Sequence, residues 1–121
     1  MKGKYRIFLC SAIAMILTGT GSTVHARDAS CLVSSYGIPT FKRICDFRPD
    51  GTNGSFSLSA SKGNGEFLED VRILSVTVLS PGNAEVRGLT ANGINSRWGS
   101  ARRSKKDDVC WIGDSFAICA W

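Results

Sequence analysis

Five cations stand within ten positions: Arg97, Arg102, Arg103, Lys105 and Lys106. Trp98 sits among them, and Asp107 and Asp108 follow directly. Arginine presents a planar fork of donors that matches carboxylate, sulfate or phosphate groups, and lysine adds a mobile point charge. An interleaved tryptophan adds a flat apolar surface. The chemistry on offer is therefore recognition of an anion. With five cations against two acids, residues 97–108 carry +3. Targets of this chemistry include a glycosaminoglycan, lipopolysaccharide phosphates, peptidoglycan carboxylates or an acidic protein cleft. The plainer reading is a solvated loop whose cations pair with Asp107 and Asp108 and keep the protein soluble. The candidate binding residues are Arg97, Trp98, Arg102, Arg103, Lys105 and Lys106.

The other chemistry-bearing residues point away from catalysis. The single histidine, His25, falls in a segment that reads as a leader. A chain without it has no Ser-His-Asp triad, no Cys-His pair and no His-containing zinc site. Ten acids are scattered among turns and beside cations, so some pair of carboxylates is always available and none is singled out. Ser61-Lys62 and Ser104-Lys105 are sequence neighbours, and neighbours on a strand point to opposite faces. Residues 50–54 resemble a calcium loop only faintly, without its glutamate or its ligand spacing. No glycine-rich phosphate loop occurs. The expectation is a non-enzymatic protein with no catalytic residues, no metal and no cofactor.

The elements that must position the cationic segment begin after the leader. Lys2, Lys4 and Arg6 form a positive start, residues 7–17 an apolar run, and residues 18–23 a small, polar stretch. Val24-His25-Ala26 then suits a signal peptidase. The apolar run is well short of the ~20 residues of a spanning helix. Residues 1–26 are thus expected to be a cleaved signal peptide and residues 27–121 one domain. Its short apolar core and small c-region are of a bacterial kind. Cleavage removes three cations and no acid, so twelve cations against ten acids leave +2 rather than +5. Nucleic acid is an unlikely partner on that balance.

Four cysteines remain after the leader: Cys31, Cys45, Cys110 and Cys119. An even number in a short exported chain reads as two disulfides. Their spacing does not suit a four-cysteine zinc site. A hairpin centred on Ile38, turning at Gly37-Ile38-Pro39, would set Cys31 opposite Cys45. A second hairpin turning at Gly113-Asp114-Ser115 would set Cys110 opposite Cys119. Local pairing, 31–45 and 110–119, is favoured on this geometry. Crossed pairing, which would staple the chain ends together, stays open.

Turn signals recur along the domain. Asn53-Gly54, Asn64-Gly65 and Asn92-Gly93 are hairpin dipeptides, and Pro49-Asp50-Gly51 and Ser80-Pro81-Gly82-Asn83 add two turns. Phe56, Leu58 and Ala60 alternate with serines, as a half-buried strand does. Residues 71–79 are β-branched and mostly apolar, which suggests a strand covered on both faces. Residues 84–89 should pair with it, and residues 94–101 follow. Residues 66–74 also fit one helical face. The pattern predicts an all-β, single-domain antiparallel sandwich or barrel of about seven or eight short strands. Trp111 and Trp121 flank cysteines and are expected in the core, whereas Trp98 suits core or surface equally.

These readings combine into a small exported protein, periplasmic or secreted, that binds or inhibits through a basic Arg/Trp loop. Its partner would be an anionic polymer or a protein. Two other classes compete: a small secreted hydrolase or toxin working through carboxylates, and a structural envelope protein with no discrete site.

Overall fold

The computed structural model describes residues 26–61 and 67–121. The expected leader therefore lies, except for Ala26, outside the described residues, as does Asn64-Gly65. Eight antiparallel strands follow one another around a closed barrel. They are β1 (Arg27–Ser35), β2 (Ile38–Pro49), β3 (Phe56–Ala60), β4 (Val71–Ser80), β5 (Asn83–Thr90), β6 (Asn95–Arg103), β7 (Cys110–Gly113) and β8 (Phe116–Ala120). Each pairs with the next, and β8 returns to β1, with Val33 opposite Ile118. The all-β expectation holds, as a barrel rather than a sandwich.

Alternation builds the interior. Phe56, Leu58 and Ala60 of β3 point inward and Ser57 and Ser59 outward, as their spacing predicts. Leu58, Leu74, Val86 and Ile118 are wholly buried, and Trp111 is 2% exposed. Eight strands enclose a space that side chains can just fill, and the described residues pack a continuous core inside the barrel. Residues 71–79 are not covered on both faces. Val71, Leu74 and Val76 are buried, while Ile73, Thr77 and Leu79 are exposed, because the outer wall of a barrel meets solvent. Nor do residues 67–70 form a helix ahead of β4. Leu68 and Val71 exchange backbone hydrogen bonds in a tight turn with Asp70 at positive φ, and Phe67 packs on Phe41.

Both local disulfides are present, Cys31–Cys45 and Cys110–Cys119. Cys110 lies directly opposite Cys119 around the Asp114-Ser115 turn, as expected. The first hairpin differs. Its turn is Tyr36-Gly37, both with positive φ, so Cys31 faces Arg43 and Cys45 faces Ala29. A two-residue turn of this kind matches the twist of its strands, which a turn through Pro39 would not. The bridge therefore closes diagonally, with the Cα atoms 5.9 Å apart. It belongs to the core cluster. The Cys110–Cys119 bridge lies on the opposite side of the wall, alternating with the core residues Trp111 and Ile118. Two intramolecular disulfides mark a protein of an oxidising environment, outside the reducing cytosol. Among the described residues, no helix is long and apolar enough to cross a membrane.

An up-and-down barrel puts alternate connections at opposite ends. The β2–β3, β4–β5 and β6–β7 connections share one end, here the lower end. The β1–β2, β3–β4, β5–β6 and β7–β8 connections share the upper end.

Candidate functional site

The cationic segment is not one loop. β6 runs through Arg103, so Arg97, Trp98, Arg102 and Arg103 stand on a strand and only Lys105 and Lys106 on the loop that follows. The strand spreads them along the length of the barrel. A bulge then sorts them by face. Val86 pairs with Gly99 and Arg87 with Arg97, which leaves Trp98 as the extra residue. Beyond the bulge Ala101 faces the core, Arg102 faces outward and Arg103 closes the inner row at the lower end.

Arg97 is engaged on the outer wall. Its Nε donates to Glu85 Oε2 at 2.6 Å, and Arg87 Nη2 reaches the same oxygen at 3.4 Å. One carboxylate thus holds two guanidinium groups across three positions of adjacent strands. Trp98 leans toward the core instead. It meets Phe116 edge-on, with centroids 5.6 Å apart, and its indole lies over Gly88. A Cβ at Gly88 would stand 2.8 Å from Trp98 Nε1, so glycine is what admits the ring.

Arg103 is the best-placed cation. Its guanidinium carbon sits 4.8 Å from the centroid of Trp111, its cross-strand neighbour. Cation–π contact with a buried ring holds the side chain without using its donors. Among the described residues, Arg102, Arg103, Lys105 and Lys106 form no ion pair. Arg103 lines a cleft of about 560 Å³ at the lower end with Asn53, Val78, Leu79, Ser80 and Trp111. The walls of that cleft are fixed locally. Asn53 Nδ2 donates to Val78 O at 3.1 Å, Ser55 Oγ accepts from Val78 N at 2.8 Å, and Arg103 N donates to Gly82 O at 3.0 Å.

The loop bearing Lys105 and Lys106 is itself braced. Ser104 Oγ accepts from the backbone N–H groups of Lys106 and Asp107, both at 3.2 Å. Asp107 Oδ1 accepts from Val109 N at 3.3 Å, and its carbonyl accepts from Cys110 N. Asp107, which the plainer reading pairs with the cations, instead shapes the turn.

Arg102 lines a second cleft, of about 390 Å³, on the outer wall. Its cross-strand neighbour Ile112 lies there too, with Leu79, Ser100 and Asp114. Consecutive arginines therefore address two clefts that share the exposed side chain of Leu79. Trp111 is core, as its sequence context predicts. Trp121 is not: its backbone is docked by two hydrogen bonds to Ser30, but its side chain is half exposed. The end of β8 has run out of barrel to bury it in.

The sequence reading missed Arg87, Asn53 and Leu79. Each reaches its place through strand register, which no local pattern encodes. Compared with protein-family models, curated proteins and solved structures, the chain matches none.

Proposed function

We propose that this chain is a small exported binding or inhibitory protein, periplasmic or secreted and without catalytic activity. It offers an anionic group on a polymer or a partner protein the cationic lower rim of a disulfide-stapled barrel. The observation that carries this reading is Arg103. It is stacked on buried Trp111, unpaired among the described residues, and set in the wall of a cleft. A guanidinium oriented by an aromatic ring keeps its donors for a ligand and loses little side-chain freedom on binding one. Lys105 and Lys106 extend the positive surface beside it on a braced loop.

The six residues of the original segment then divide. Arg103, Lys105 and Lys106 form the rim, Arg102 serves the adjoining cleft, and Arg97 and Trp98 do structural work. The test compares single variants of the oxidised protein on a sulfated-polysaccharide column run with a salt gradient. Arg103→Ala should weaken binding by about 1–3 kcal/mol, the range of a charge-assisted hydrogen bond. Arg97→Ala should elute with the parent, because Glu85 already occupies Arg97. Equal loss in both variants would show that retention follows total charge and would remove the rim from the account.

A further inference from the structure

The two clefts at Arg102 and Arg103 meet at a ridge, and the chemistry of that ridge narrows the partner. Leu79, next to the end of β4, is 67% exposed, and Ile112, opposite Arg102, is 44% exposed. The C–H faces of sugar rings pack on flat aromatic side chains, and Leu79 and Ile112 offer a sulfated or phosphorylated polysaccharide only small aliphatic contacts between two guanidinium groups. They suit a polypeptide. An apolar centre flanked by arginine fits a protein interface, whose buried core is apolar and in which arginine is enriched.

The geometry points to an acidic segment of a partner protein, laid across the Leu79 ridge with an apolar side chain on the ridge and a carboxylate in each cleft. This rests on the proposed binding role of the rim and names the partner for it. Charge complementarity commits the ends of the segment. Arg103 has no acid within ion-pair distance among the described residues, and neither has Arg102. Asp114 lines the outer cleft as well and offsets part of the Arg102 charge there, so Arg103 is the stronger of the two anchors. The centre of the segment is set by Leu79, the one side chain that lines both clefts.

The probe is the capped peptide Glu-Gly-Leu-Gly-Glu, whose glutamates and leucine share one face when extended. Its control is Glu-Gly-Ser-Gly-Glu. Both are titrated into the oxidised full chain while the NMR signals of Arg102, Arg103 and the Leu79 methyl groups are followed. The leucine peptide should bind roughly tenfold more tightly than the serine peptide, the size of one apolar anchor. Leu79→Ser should erase that difference. The second variant, Ile112→Thr, should narrow the difference without erasing it. Equal affinity of the two peptides, or no shift with either, overturns the peptide partner. If column retention by Arg103 survives that result, the anionic ligand is a polysaccharide and only this inference fails. If retention is lost as well, the proposed function fails with it.

Discussion

At the scale of single residues, one glycine and one tyrosine make the sharpest tests. A Cβ on Gly113 would lie 2.3 Å from the Phe116 ring. Gly113→Ala must displace that ring from the core, at a cost of about 1–3 kcal/mol. A thermal melt should show a clear fall in midpoint. Tyr36 carries the opposite expectation. It holds φ at 51° at the tip of the first hairpin, with 82% of its surface exposed. Asparagine tolerates that backbone better and is the preferred residue before glycine in such a turn. Tyr36→Asn should raise the midpoint slightly, and a fall would show that the ring makes a contact of its own.

At the scale of elements, β4 reports how the wall is built. Leu74 is wholly buried and Ile73, its neighbour, is 38% exposed. Leu74→Ala should cost about 2–5 kcal/mol and Ile73→Ala much less, read from denaturant midpoints. The bridges act at the same scale. They close separations of 14 and 9 positions, and the loop-entropy model gives each about 3 kcal/mol. Cys31 and Cys45 also fill the core, so replacing that pair by serine should cost more than replacing Cys110 and Cys119. Much of this architecture was legible in local pattern. Alternation gave β3, the Pro81-Gly82 turn gave the β4–β5 hairpin, and hairpin geometry favoured both local cysteine pairings while leaving crossed pairing open. What local pattern could not convey was long-range. Residues 71–79 read as doubly covered because β-branched residues suit an exposed barrel wall as well as a buried one. The Trp98 bulge exchanges the faces of β6, so the row of cations was visible while its division between wall and rim was not. The first hairpin was misplaced because Tyr36-Gly37 is not a usual pair for its turn.

At the scale of the whole molecule, the position of the cations matters more than their number. Residues 27–121 carry only +2, too little for strong retention if the cations acted as a uniform cloud. The barrel gathers Arg103, Lys105 and Lys106 at its lower end, while Lys42, Arg72 and Arg97 lie exposed elsewhere on the wall. The decisive measurement compares two triple-alanine variants of the oxidised protein, one at each set, by elution salt from a sulfated-polysaccharide column. Each loses three cations, so their net charges are equal. The rim variant should flow through, and the wall variant should elute close to the parent. Equal behaviour of the two would contradict this, and the barrel would then have no discrete anion-binding rim.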